Sequence, residues 1–209
     1  MIASSLAGRR LYLCTPDRPD LESFVDACVR GGVDIVQLRE KHLDDDALVT
    51  RARVVREVCR AHGVPFILND RPDLAVAAGA DGVHVGQEDA SPADARAAVG
   101  AAGIVGLSTH RPAELDAAAG APVDYLSAGP VVPTPTKPGR PGTGLEYLSY
   151  AAAHATVPWF VTGGAAPDTV PAMVRAGATR FVVVRWLTES PDPGGSAGQL
   201  RDAIDRALR

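Results

Sequence analysis

Cysteine is scarce in this 209-residue chain: three residues, Cys14, Cys28 and Cys59, with no two in a C-x-x-C spacing. That excludes a zinc ribbon or a thioredoxin-type pair and leaves three small hydrophobes suited to a reducing compartment. Long apolar runs are missing too, so no segment has the length to span a bilayer as a helix. The opening MIASSLAGRR has no cationic stretch followed by an apolar core; no signal peptide is expected, and the expected location is the cytoplasm. Basic residues are in deficit, with a formal net charge of −4, which argues against a general nucleic-acid binder. Any site for a phosphorylated ligand must then be a local cluster of cations. No Gly/Ser linker and no abrupt shift in composition divides the chain, so residues 1–209 are expected to form one domain, with 1–9 as an N-terminal extension.

What is present is alternation. Short runs rich in Val, Ile and Leu are followed by helical stretches. The strand candidates are Leu11–Cys14, Asp34–Arg39, Phe66–Asn69, Gly82–Val85, Ile104–Ser108, Tyr125–Ala128, Trp159–Thr162 and Arg180–Arg185. Ala-, Arg-, Leu- and Glu-rich segments such as Asp45–Ala61 and Pro167–Ala176 lie between them. This order predicts a parallel sheet with crossover helices. Four phrases, GGVDIVQL from Gly31, AGADGVHV from Ala78, AGAPVDYL from Ala119 and AGATRFVV from Ala176, repeat one unit: helix end, glycine, strand. An open doubly wound sheet could use the same unit, but no Gly-x-Gly-x-x-Gly follows the first strand. Eight strand–helix pairs favour the closed α/β (β/α)8 TIM barrel. The exceptional connection is Val131–Gly144, VVPTPTKPGRPGTG, long for a strand-to-helix loop. It reads as a stiff surface loop or, from its place after a barrel strand, as an active-site lid.

Barrel active sites lie at the C-terminal ends of the strands. At the end of the second strand Gln37, Arg39 and Lys41 alternate onto one face, with Val36 and Leu38 on the other. Two cations and an amide suit a phosphate or diphosphate, although Glu40 or Asp44–Asp46 could pair with them instead. The third strand ends in Asn69 and Asp70, and the fourth leads to Gln87, Glu88 and Asp89. Carboxylates at adjacent strand ends can share a hard cation such as Mg2+; each Asp could equally cap a helix or bond a turn. GLSTH places Ser108 at the fifth strand's end, with no Gly-x-Ser-x-Gly elbow, so a binding hydroxyl is favoured over a nucleophile. Of the five histidines, none has zinc-ligand spacing. His84 reads as a satisfied core residue, and His110 is the one candidate acid or base. Gly163 and Gly164 after the seventh strand, with the end of the eighth at Val184–Arg185, fall where barrels usually cradle a phosphate.

Taken together, QLREK at Gln37–Lys41, ND at Asn69–Asp70, GVHVGQED at Gly82–Asp89, GLSTH at Gly106–His110 and GPVVPTPTKPG at Gly129–Gly139 resemble the thiamine-phosphate synthase family, from about Leu11 to about Leu187. The resemblance implies a transferase of thiamine biosynthesis. It would condense 4-amino-2-methyl-5-hydroxymethylpyrimidine diphosphate with a thiazole ethyl phosphate, plain or carboxylated, and release diphosphate. It implies that Gln37, Leu38, Arg39, Glu40, Lys41, Asn69, Ser108 and Lys137 meet the pyrimidine diphosphate. Arg39, Lys41, Lys137 and Ser108 would bear on the chemistry. Asp70 and Asp89 would hold Mg2+. Thr134, Pro135, Thr136, Gly164, Val184 and Arg185 would meet the thiazole phosphate. The chain departs from the family in having Thr162-Gly163-Gly164-Ala165 where Ile-Gly-Gly-Ile is usual, and Arg185 where many members carry serine. A thiazole tautomerase, relying on His110, and a non-catalytic barrel that binds a phosphorylated metabolite are the rival readings. The expected partners are small-molecule substrates, without nucleic acid or membrane; a homo-oligomer remains open.

Overall fold

A computed structural model describes residues 6–133 and 141–209. Its eight strands are β1 (Leu11–Thr15), β2 (Ile35–Leu38), β3 (Phe66–Asn69), β4 (Gly82–Val85), β5 (Ile104–Thr109), β6 (Tyr125–Ala128), β7 (Trp159–Val161) and β8 (Phe181–Val183). They pair in parallel and in sequence order, and β8 closes on β1, giving the barrel that the alternation predicts. The helices between them include α1 (Leu21–Arg30) and α2 (Asp45–His62), each of which turns a hydrophobic stripe onto the sheet. No helix among the described residues is long and apolar enough to cross a membrane.

The strands are buried on both faces, as parallel sheets require. Outward residues such as Val36, Leu38, Leu68, Val83 and Val105 join the helices in one continuous core. Inward strand residues form a separate cluster, Tyr12, Ile35, Ile67, Ile104, Tyr125 and Phe160, joined by Leu6 from before β1. Within it, the Phe160 ring packs edge-on against Tyr12 at 5.4 Å and Tyr125 at 5.5 Å between centroids. That geometry suits aromatic quadrupoles better than face-to-face stacking.

The repeated helix-glycine-strand phrase has a physical basis. Gly79, Gly120 and Gly177 adopt φ of 68°, 83° and 96°, and in the first phrase Gly32, not Gly31, does so at 109°. Just before the strands, three of the four phrases carry an aspartate that accepts an N–H at the start of the preceding strand, from its first or second residue. Asp34 accepts from Leu11, Asp81 from Phe66 and Asp124 from Val105. Each is also paired with an arginine, Arg201, Arg56 or Arg96. These clamps fix strand register at the end of the barrel away from the site. The fourth phrase has Arg180 at the equivalent position, with its Nε buried and unbonded.

Five strands differ from expectation: β1 and β5 run one residue further, β7 stops one residue earlier, β2 is shorter by one residue at each end, and β8 is shorter by one residue at its start and two at its end. Arg39 follows β2 instead of ending it, although its N–H still bonds Thr15 O at 2.8 Å. The eighth strand stops at Val183; Val184 turns out of the extended conformation at ψ −88°, and Arg185 opens a short helix, Arg185–Thr188. Arg185 is therefore at a helix start, not in a strand.

Candidate active site

Side chains that alternate inward on the strands build a cavity of about 870 Å³ at the C-terminal end of the barrel. Its floor is polar. Cys14 of β1, Gln37 of β2, Asn69 of β3, His84 of β4, Ser108 of β5 and Ser127 of β6 all line it and are all at least nine-tenths buried. Ser108 is one residue short of the strand end and lies in this floor. Arg39, Lys41, Asp70 and Asp89 line the rim, with Gly163, Gly164, Val184 and Arg185 also around the cavity. Thr134, Pro135, Thr136 and Lys137 lie outside the described residues. The described ends of their loop are tied together: Thr143 N donates to Pro130 O at 2.8 Å and Gly144 N to Val131 O at 3.1 Å.

The rim separates several readings that the sequence left open. Lys41 Nζ pairs with Asp70 Oδ2 at 2.7 Å, not with Glu40 or with Asp44–Asp46. Arg39 has no ion pair among the described residues. Glu40 accepts the N–H groups of Lys41 and His42, both at 2.8 Å, which shapes the loop after β2. Leu38 turns its side chain away into the outer core, so only its backbone can face the cavity.

Asp70 does not cap a helix. It sits at φ 60°, the left-handed region that Asp and Asn tolerate best among non-glycine residues. Burial pushes its carboxyl up, Lys41 opposes that, and the neighbouring carboxylate of Asp89 pushes it up again. Asp89 Oδ2 also accepts Gly86 N at 2.7 Å, closing the turn after β4, while Ser91 caps the next helix. Two carboxylates this close repel one another unless a cation comes between them. No group of three or more His, Cys, Asp and Glu able to hold a metal exists among the described residues. Two hard oxygen donors beside a cation-lined cavity nevertheless fit Mg2+, which commonly takes one or two carboxylates and completes its shell with phosphate and water.

The cavity floor holds what the sequence reading missed. His84 is buried, as expected of a core histidine, but it also lines the cavity and bonds Ser108 Oγ through Nε2 at 2.9 Å. Its Nδ1 bonds the Tyr125 hydroxyl at 2.9 Å. A Ser–His pair thus exists, with a phenol in place of a carboxylate as its third member. The available signal was period-two alternation: Tyr12 and Cys14, and Tyr125 and Ser127, face inward on their strands just as Gln37 does. His110 lines the cavity too, and its Nδ1 bonds Gly129 O. Gln87 Nε2 donates to Ser108 O at 2.7 Å, bracing β5 from the loop after β4.

After β7 the backbone comes close to its neighbours. A Cβ on Gly163 would lie 2.6 Å from Pro130 Cβ, and both Gly163 and Gly164 have positive φ. Arg185 is exposed and has no ion pair with Glu189 among the described residues.

A single-domain (β/α)8 barrel with cations, paired carboxylates and buried hydroxyls at its C-terminal mouth is an enzyme scaffold built for a phosphorylated ligand. The sequence profile of one family, thiamine monophosphate synthase, matches residues 11–187. The thiamine-phosphate synthase of Thermobifida fusca is 48% identical over 202 residues, covering 94% of this chain and 92% of that protein. That of Thermus thermophilus is 45% identical, covering 93% and 97%. The solved thiamine phosphate pyrophosphorylase of Pyrococcus furiosus superposes with a TM-score of 0.87 at 27% identity, over 100% of both chains. This chain belongs to the thiamine monophosphate synthase family.

Proposed function

We propose that the chain condenses 4-amino-2-methyl-5-hydroxymethylpyrimidine diphosphate with a thiazole ethyl phosphate, giving thiamine phosphate and diphosphate. The observation that carries the chemistry is the meeting of Lys41, Asp70 and Asp89 at the rim of a cavity floored by Gln37, Asn69 and Ser108. In this reading the bond from the pyrimidine methylene carbon to the diphosphate oxygen breaks, and the oxygen keeps the electron pair. The thiazole nitrogen then supplies the pair for the new carbon–nitrogen bond. The protein needs no covalent nucleophile, only positioning and stabilisation of developing negative charge.

Gln37 and Asn69, fixed on strands and buried, orient the pyrimidine. Arg39 and Lys41, with Lys137 from the loop, neutralise the leaving diphosphate. Asp70 and Asp89 would hold Mg2+, which supplies further charge neutralisation on the diphosphate oxygens when bound. The thiazole phosphate would meet Thr134, Pro135, Thr136, Gly164, Val184 and Arg185. The loop 131–144 would close over both substrates as a lid, and the reaction is expected in the cytoplasm. A thiazole tautomerase is not favoured: the curated relatives above are named synthases, and the His110 ring bonds a backbone carbonyl through Nδ1.

The test is a coupled assay with both substrates and Mg2+, reading diphosphate and thiamine phosphate, with and without EDTA. Equal amounts of the two products, abolished by EDTA, are expected. Diphosphate without thiamine phosphate, or neither product, overturns the assignment.

A further inference from the structure

Four buried groups, Tyr12, Cys14, His84 and Tyr125, are unused by this mechanism, yet they are hydrogen-bonded, directly or through one another, to Gln37 and Ser108, which it uses. Cys14 Sγ donates to Gln37 Oε1 at 3.1 Å, and Gln37 Nε2 donates to the Tyr12 hydroxyl at 2.8 Å. Tyr12 and Tyr125 share a hydrogen bond of 2.8 Å between their hydroxyls. Tyr125 meets His84 Nδ1, and His84 Nε2 meets Ser108 Oγ, both at 2.9 Å. Ser127 Oγ donates to Ser108 Oγ at 3.3 Å. The barrel interior therefore carries a continuous polar chain from β1 to the cavity floor, surrounded by Phe160, Ile35 and Ile67.

Among the described residues, the bonds of the chain fit one direction. The amide of Gln37 is a donor at Nε2, so the Tyr12 oxygen accepts there and its proton goes to Tyr125. The Tyr125 proton is then committed to His84 Nδ1. An Nδ1 that accepts leaves the imidazole proton on Nε2, aimed at Ser108 Oγ. Burial raises the pKa of both phenols above the ordinary value, so each keeps its proton and remains a donor. With Tyr12 donating to Tyr125, an Nδ1–H on His84 would put a proton from both Tyr125 and His84 in the same 2.9 Å contact. Ser108 Oγ accepts from His84 and from Ser127, and toward an anion a hydroxyl can act only as a donor. Gly106, on β5 two residues before Ser108, leaves the room this needs: a Cβ there would lie 2.1 Å from Tyr125 Cζ.

We infer that His84 is a positioning residue, fixed as the Nε2–H tautomer by the Gln37–Tyr12–Tyr125 chain, and that it sets Ser108 as a hydrogen-bond donor to the pyrimidine diphosphate. The inference about the tautomer stands on geometry alone; its consequence for catalysis rests on the proposed function.

The experiment has a spectroscopic and a kinetic arm, both on the full chain. Long-range 1H–15N correlation of the imidazoles, with the His84 signals assigned by their loss in His84→Gln, should show the Nε2–H tautomer in the wild type. Tyr125→Phe removes one hydroxyl from an otherwise unchanged ring and should bring a population of the Nδ1–H form. An Nδ1–H tautomer or an imidazolium in the wild type overturns the chain, whatever reaction the enzyme performs. In the kinetic arm His84→Leu should lower kcat/KM for the pyrimidine diphosphate roughly ten- to a hundredfold, the range for a lost hydrogen bond to a charged group. His84→Gln, which offers an amide donor near the Nε2 position, should recover most of it, and the KM of the thiazole phosphate should stay unchanged in both. Melting curves screen for misfolding, and Tyr125→Phe carries the kinetic test if His84→Leu fails to fold. Wild-type kcat/KM in the folded variants, or equal loss for both substrates, overturns the positioning role. If the wild type itself forms no thiamine phosphate, the functional reading falls and the spectrum still decides the chain.

Discussion

Replacing Asp70 by asparagine should separate stability from function. Alanine would be a poor probe, because φ at this position is 60° and left-handed backbone strains an alanine. Asparagine keeps the shape and tolerates that backbone. Two electrostatic contributions change in opposite directions. The Lys41–Asp70 pair is lost as an ion pair; Lys41 is 48% exposed, so the pair contributes no more than about 1 kcal/mol. The destabilisation of the Asp70 charge by burial and by Asp89 is relieved as well, which acts in the opposite direction. The two oppose one another, so Tm should move by less than about 4 °C. Function should not be spared. Losing one anionic oxygen ligand costs about 1.5–3 kcal/mol, or roughly ten- to 150-fold in Mg2+ affinity. Calorimetry of Mg2+ with the bound pyrimidine diphosphate measures that loss, scanning fluorimetry measures Tm, and a diphosphate-release assay measures turnover. A folded Asp70→Asn enzyme with wild-type Mg2+ affinity refutes the metal assignment. A fall in Tm beyond about 10 °C would show instead that Asp70 is chiefly structural.

Lys137→Ala should slow the chemical step more than it weakens thiazole phosphate binding, as single-turnover measurements would show; loss of thiazole affinity alone counts against it. Arg185→Ser should weaken thiazole phosphate binding by about 1–3 kcal/mol and leave the pyrimidine diphosphate untouched; calorimetry with unchanged affinity would show that the arginine makes no such contact. Asp124→Ala should lower stability by about 2–3 kcal/mol, since it strips Val105 N and Arg96 of a buried charged acceptor. That corresponds to a fall in Tm of about 5–10 °C, with KM values unchanged because the clamp is at the far end of the barrel.

The architecture was open to reading because the helix-glycine-strand phrase repeats and strand follows helix throughout. Boundaries were recoverable wherever apolar residues ended on a glycine or a polar pair, as at Phe66–Asn69 and Gly82–Val85, which the structure reproduces residue for residue. The eighth strand was read too long because Val182, Val183 and Val184 form an unbroken apolar run, and hydrophobicity does not mark where ψ changes sign. At the rim, charge and strand position pointed to Lys41, Asp70 and Asp89, but the partner of Lys41 depends on which strand ends become neighbours. The floor was harder still. A histidine between two valines looks apolar by context, and only the closed barrel brings Ser108 and Tyr125, from the next two strands, to its two nitrogens.

The interior polar chain has a bearing on how this barrel could be divided. Cut between β4 and β5, the sequence gives two fragments of four strands each. Tyr12, Gln37 and His84 would fall in the first fragment, and Ser108, Tyr125 and Ser127 in the second. The cut would sever the bonds from Tyr125 to Tyr12 and to His84, and from His84 to Ser108. Each fragment would then have to hide phenols, an imidazole or hydroxyls without their partners, at about 1–3 kcal/mol for each group left unsatisfied. Two such fragments, expressed separately, would gain by finding one another and lose by closing on a second copy of themselves. The same few side chains that floor the cavity thus make each half the specific complement of the other.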